Sequence, residues 1–388
     1  MDIPGVICNN VEELVALVLH HRTQSPEDID VKLGIDGGQG SLKVTLSLTL
    51  KPDSHDTNWS PPSKRFQYSD GYGSGDFRDS SVHKTLILAL VPTMSESYVN
   101  LKMLLEKLNL NSLEYSLSQD TKVMLQTLGK QPAACSHPCP YCETSKPHML
   151  KAPNNTLASL CAWHDKWISA GGKLKEAKYY QNVVHPPLLT GKPDSKILEL
   201  INIPGLHIIL GIVDKILSEM EKKMFENKEI GFRFFSSFLA SINLARVSYQ
   251  GQHRLEGNAC NMFLKKLDVL ELYLKEHNLG LQGAKYIKVL RDFNRIVHGC
   301  FGKSVSPTYK NDIKTFSESY RDLGITVSVK VHMVEQHVEE FIEMKGGEFI
   351  EYISTCSCNK DILFITGYSL LFCILVSQKI VTHPIFKF

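Results

Sequence analysis

Apolar positions along the first 130 residues switch between a spacing of two and a spacing near 3.6, and the switches mark elements. DVKLGI (30–35) and LKVTLSLTL (42–50) are β-rich runs joined by the glycine-rich DGGQGS, which predicts a hairpin. KTLILALVP (84–92) is apolar almost throughout, the pattern of a strand in the middle of a sheet. SESYVNLKMLLEKLNL opens on Ser and Glu and continues at helical spacing, predicting a capped helix. LEYSLSQ predicts a fourth short strand, and DTKVMLQTLGK a capped helix ending at Gly129.

The predicted order is therefore β-β-β-α-β-α, which is that of a ribonuclease-H-like sheet: three antiparallel strands, a helix, then a strand placed beside the first. Ahead of it, MDIPGVICNNVEELVALVLHHR reads as a short amphipathic helix with acids at 12 and 13 and no basic leader. The stretch 52–81, rich in Ser, Asp, Gly and Pro, reads as a surface loop. From about 150 onward helical spacing dominates, over 155–170, 195–203, 207–227, 233–247, 258–276, 284–298 and 311–322. No period of 20–50 residues repeats, so a solenoid is excluded. SVKVHMVEQHVEEFIEMKGG predicts one more helix, with His332 and His337 near one face. The last forty residues mix β-branched, aromatic and Cys residues without amphipathic order, as a read-through past a splice or frame boundary would.

The predicted class is α/β: a ribonuclease-H-like sheet with a large α-helical insertion and a Cys2His2 zinc site. Its expected divisions are an N-terminal helix (1–29), the α/β core (30–143), the helical insertion (144–325), a helix carrying zinc ligands (326–346) and a hydrophobic tail (347–388).

A chain of 388 residues with 43% apolar content can bury a large core, more readily as two domains than as one. The net charge of +2 is close to neutral and names no partner by itself. Ten cysteines without a regular framework, and no signal peptide, point to a reducing compartment, nucleus or cytoplasm, with cysteine used for metal or packing. The apolar run Ile362–Val376 is 15 residues long, below the roughly 18–20 of a membrane helix, so no membrane association is expected.

Three places carry candidate chemistry. In GIDGGQGSLK, Asp36 ends a strand and is followed by glycines that allow a ligand close to the backbone. That fits a hairpin turn, a Mg²⁺ ligand in a nuclease or recombinase, or a phosphate-binding turn like that of actin and sugar-kinase ATPases. The ATPase reading needs a second glycine-rich acidic motif downstream, and none occurs. Asp120 sits between the fourth strand and its helix, where an N-cap and a metal ligand are compatible roles. In HPCPYC, Cys139 and Cys142 have the spacing of half a zinc site. The other half is local, Cys161 and His164 in LCAWH, or distant, His332 and His337; spacing alone favours the local pair.

Taken in order, these features resemble the catalytic core of the V(D)J recombinase catalytic subunit and the related Transib-type DDE transposases, with part of the pattern shared by CACTA/Chapaev transposases. The resemblance rests on Asp36 in DGGQG, on Asp120 ahead of the Cys-x2-Cys pair, on Leu206–His207 in PGLHIILG, on LEGNACNMFLKK (255–266) and on HMVEQHVEEF (332–341). It covers roughly residues 30–346. It implies structural Zn²⁺ on Cys139, Cys142, His332 and His337, and catalytic Mg²⁺ or Mn²⁺ on Asp36 and Asp120. DNA as the ancestral partner, a homodimer and no small-molecule substrate follow from the same likeness. The family's third acid follows the histidine pair within a Ser-Glu-x-x-x-Glu-like segment, whereas this chain has GGEFIEYISTCSC, with Glu348 and Glu351 out of that context. Glu351 is the nearest substitute. The expected product is a truncated, inactive relative of transposable-element origin, or a DNA- or protein-binding remnant. A zinc-stabilised interaction protein without catalysis is the alternative from another class. The basic runs KLKEAK (173–178) and KYIKVLRDFNR (285–295) read as contacts to phosphate backbone or as solvated helix faces.

Overall fold

The computed structural model describes residues 5–22, 24–37, 40–51, 85–132, 134–249, 252–301, 305–345 and 386–387. Two compact units are built from interleaved chain segments. One takes Met1–Cys135, Asn154–Asn202 and Ser354–Phe388, the other Ser136–Pro153 and Ile203–Ile353. The Cys139–Cys142 segment thus belongs with the helices and not with the sheet.

The first unit is mixed α/β. Strands β1 (Val6–Cys8), β2 (Ile29–Asp36), β3 (Ser41–Leu50), β4 (Leu86–Pro92) and β5 (Ser116–Gln119) form a mixed five-stranded sheet in the order β5-β2-β3-β4-β1. A two-residue strand, β8 (Phe386–Lys387), extends it beyond β1. β2 and β5 are parallel and every other pair is antiparallel. The alternation in β3 explains its place: Leu42, Val44, Leu46 and Leu48 are buried on one face, with Lys43, Thr45, Ser47 and Thr49 between them. β4 is flanked by β3 and β1, which accounts for its nearly continuous apolar run.

Helix α1 (Val11–Arg22) follows β1, a strand that three residues of sequence do not announce. Helix α2 (Tyr98–Leu108) starts where Ser97 Oγ accepts a hydrogen bond from the Asn100 amide, and α3 (Thr121–Thr127) where Asp120 accepts one from Val123 at 2.7 Å. After α4 (Leu157–Ser169) and a 3-10 turn at Leu174–Tyr180, helix α5 (Ile197–Leu200) brings the chain back to the sheet edge. There Ile201 bridges Leu117 in parallel, and the Asn202 side chain donates to Ser116 and Ser118 of β5.

The second unit is helical apart from a small hairpin, β6 (Val247–Tyr249) with β7 (Gln252–Arg254). Its axis is α6 (Gly205–Lys223), whose Ile208, Ile209, Ile212, Val213, Ile216 and Met220 are buried. Helices α7 (Lys228–Ser241), α8 (Gly257–Leu264), α10 (Gly280–Cys300) and α12 (Val329–Gln336) pack on it. Helices α9 (Leu267–Glu276) and α11 (Tyr309–Asp322) pack on α10. The single helix expected over 258–276 is two, broken at Lys265 and Lys266, with Phe263, Leu264 and Leu267 all buried. The expected loop at 52–81 and the expected tail, except for β8, lie outside the described residues.

Gly129 closes α3 at φ +70, and its carbonyl accepts from the amides of Val184 and His185. A Cβ at that position would collide with the His185 carbonyl, so side chain and backbone conformation are both refused. Gly129→Ala should lower stability by about 2 kcal/mol or more, read as a drop in the denaturant midpoint with unchanged slope.

Candidate metal centre

Cys139, Cys142, His332 and His337 converge: their ligand atoms all lie within 4.8 Å of one another, and all four residues are buried. Cys139 Sγ is 3.4 Å from His337 Nε2 and Cys142 Sγ is 3.2 Å from His332 Nε2. Zn–S and Zn–N bonds of about 2.3 and 2.05 Å in a tetrahedron put sulfur and nitrogen about 3.5 Å apart. The four side chains therefore already stand near the edges of a tetrahedron that could hold a metal such as zinc.

Local structure explains how each ligand arrives. The segment Ser136–Pro153 is folded on itself: Lys146 N donates to Ser136 O at 2.8 Å, Glu143 N to Pro153 O at 3.0 Å, and Thr144 Oγ1 to Leu150 O at 2.7 Å. These bonds close the knuckle that presents the two thiols, with Tyr141 buried between them. On the other side, α12 begins with Ser328 capping the Val331 amide. The two histidines do not lie on one face of one helix. Residues five apart are about 140° apart around a regular helix, too far to share a ligand. The helix is interrupted at His337 (φ −124, ψ −22), and α13 (Val338–Met344) restarts beyond it. That interruption turns His337 toward the same point as His332.

The chemistry is polarised to suit a cation. His332 Nδ1 is 2.9 Å from the Met149 carbonyl, which only accepts, so Nδ1 carries the proton and Nε2 offers its lone pair to the centre. His337 has no such support: its Nδ1 is buried and makes no hydrogen bond. Hydrogen bonding from Cys139, opposed by burial and aided by both histidines, holds the Cys142 thiol well below the ordinary thiol range. A Cys142 thiolate with so little access to water needs a positive partner.

The local alternative is not assembled. Cys161 is exposed on α4, and His164 lies beside Asp165 at 3.6 Å and tilted against Trp167. Both belong to the sheet unit, while Cys139 and Cys142 belong to the helical unit. Spacing favoured this pair because a short loop is the commonest way to place four ligands, and spacing carries no information about folding over long separations. The Met149 carbonyl was invisible in the sequence, since any residue supplies one.

The second candidate group lies at the ends of β2 and β5. Their parallel register pairs Lys32 with Ser116 and continues to Ile35 with Gln119. Asp36 and Asp120 are each the next residue, so they sit at the same end of neighbouring strands. Asp36 also ends the first strand of the β2–β3 hairpin, and Asp120 is the N-cap of α3, so the bland roles hold as well. Glu96, which the sequence offered only as part of a cap, lies over Gly37 beside Asp36 and forms an ion pair with Lys122. A Cβ at position 37 would collide with the Glu96 side chain. Glu348 and Glu351 lie outside the described residues. Among the described residues, no helix is long and apolar enough to cross a membrane.

A scan against protein-family models finds no match, and a search of curated proteins finds none either.

The purified chain should carry about one metal ion, measured by elemental analysis. His332→Ala with His337→Ala should release it, whereas Cys161→Ala with His164→Ala should leave it bound; the reverse outcome would make the local pair the ligands.

Proposed function

We propose that this chain is a relative of the DDE transposases and of the V(D)J recombinase catalytic core, of transposable-element origin, with a ribonuclease-H-like core and a structural zinc ion. On this reading it acts on or binds DNA and has lost strand cleavage. The observation that carries the proposal is which four ligands meet. Spacing favoured Cys161 and His164; the resemblance named His332 and His337, nearly 200 positions away, and these are the ones beside Cys139 and Cys142.

Three further observations support it. The first and fourth of the expected strands are parallel neighbours, β2 and β5, as that sheet order requires. Asp36 and Asp120 share one strand end, where paired carboxylates hold divalent ions in this class of enzyme. Two separate stretches of the resemblance also touch, because Leu206 of PGLH packs over Gly257 of LEGN, where a Cβ would lie 2.7 Å from Leu206 Cδ1.

In such a core, Mg²⁺ or Mn²⁺ held by paired carboxylates would supply activation of the attacking oxygen and charge stabilisation of the leaving one in an in-line displacement. Asp36 and Asp120 would be the residues that hold it. Asp36 and Asp120 by themselves would leave a second ion short of an anionic ligand, since Glu96 nearby is paired with Lys122, and small errors of placement are costly in this chemistry. The pair can therefore seat one ion while failing to cut. Zinc, by contrast, needs nothing beyond the four ligands present.

The zinc-loaded full chain should bind Mn²⁺, detected by electron paramagnetic resonance, and lose that binding with Asp36→Asn or Asp120→Asn. It should not nick duplexes carrying terminal inverted repeats in Mg²⁺ or Mn²⁺. Cleavage abolished by both Asp36→Asn and Glu351→Gln would make it an active enzyme. Mn²⁺ binding indifferent to both aspartates would remove the carboxylate pair from the reading.

A further inference from the structure

Helix α4 and the 3-10 turn after it form a small module of unusual surface. Trp167 is its pin: the ring is buried with Ala177 and Val184, and its Nε1 donates to the Lys173 carbonyl at 3.1 Å. Gly171 and Gly172, at φ +97 and +63, turn the chain around that ring. Held from beneath in this way, the module leaves Ile168, Leu174 and Tyr179 at 54%, 64% and 68% exposure.

Its charges are also left open. The segment 163–180 contains Lys166, Lys173, Lys175 and Lys178 against Asp165 and Glu176. Lys173 pairs with Glu176 at 3.6 Å, but Lys166, Lys175 and Lys178 make no ion pair among the described residues. Some helical lysines elsewhere are neutralised four residues away, as in Lys215–Glu219, Lys275–Glu271 and Lys288–Asp292. Two of the three unneutralised ammonium groups instead sit over aromatic rings, Lys166 4.3 Å from the Trp163 centroid and Lys178 4.9 Å from that of Tyr179. Cations without counter-ions beside the exposed ring of Tyr179 and the half-buried ring of Trp163 match a ligand that offers phosphates and flat bases in alternation.

We propose that residues 163–180 bind single-stranded nucleic acid, with Tyr179 stacking a base and Lys166, Lys175 and Lys178 contacting the phosphate backbone. Duplex DNA fits less well, because its bases are stacked on each other and cannot reach Tyr179. An acidic peptide would satisfy the lysines but not the ring. The inference deepens the reading that this chain handles DNA, yet shares no residue with the metal centre or the carboxylate pair. Metal retention and Mn²⁺ binding can therefore fail without affecting it, and the converse also holds.

Two of the three tryptophans of the chain, Trp163 and Trp167, lie in this module, so its occupancy can be read from intrinsic fluorescence. Titrating the zinc-loaded full chain with a 20-nucleotide oligothymidine should quench that fluorescence. The salt dependence of the affinity should have a log–log slope of about −2, as expected for three phosphate contacts on a single strand. Tyr179→Ala should weaken binding by about tenfold, with Tyr179→Phe restoring it, which separates stacking from a folding defect. Lys175→Glu with Lys178→Glu should flatten the salt slope while far-UV circular dichroism and metal content stay unchanged. Absence of quenching, tighter binding to a duplex of equal length, equal competition by poly-glutamate, or indifference to Tyr179→Ala would each overturn the proposal.

Discussion

Two thiols and two imidazoles, removed from water, have chiefly one another for company, and the organisation of the helical unit turns on that fact. Cys142 and His332 are 190 positions apart and Cys139 and His337 are 198 apart. Closing a loop of that length costs more conformational entropy than closing a short one, though the cost rises only slowly with length. A buried Cys142 thiolate raises a second cost, since it needs a cation nearby. A metal held by all four would offset both at once, because its binding free energy would be available only to the folded arrangement. The folded knuckle at 136–153 and the interruption at His337 are the two local features that make the arrangement possible.

The support behind the two histidines is unequal, and this grades their roles. His332 is oriented by a carbonyl that fixes its tautomer, while the far nitrogen of His337 is buried without a hydrogen bond. An imidazole bonded on its far side is both oriented and a better donor to a metal. His337 instead relies on packing, including the tilted ring of Tyr141 at 5.3 Å between centroids. The interruption that aims His337 leaves its main-chain bonds in place: its amide donates to the Met333 carbonyl at 3.0 Å and its carbonyl accepts from the Phe341 amide at 2.9 Å.

The strands of the sheet were legible in the sequence because alternation is strong where one face is buried: β3 displays it over ten residues. Caps at Ser97 and Asp120 were legible because the residue types that cap helices are few. β1 and the β6–β7 hairpin were not, since three residues make too short a run to show a period. The breaks at Lys265–Lys266 and at His337 escaped for a different reason. Neither contains Pro or Gly, the residues that announce a helix break in a sequence. Of the candidate sites, the parallel placement of Asp36 and Asp120 followed from the predicted strand order. The choice between two possible halves of the metal site depended on the whole path of the chain, which composition and spacing do not encode.

The separation of the ligands also has a meaning in time. A ribosome adds roughly 5–20 residues each second. With 198 positions between Cys139 and His337, the cysteine pair emerges roughly 10–40 s before its last partner exists. Throughout that interval Cys139 and Cys142 are two nearby thiols on an unfinished chain, open to oxidation and to stray metals. For that pair to reach the arrangement that shelters it in the finished fold, both thiols must stay reduced until residue 337 has been added.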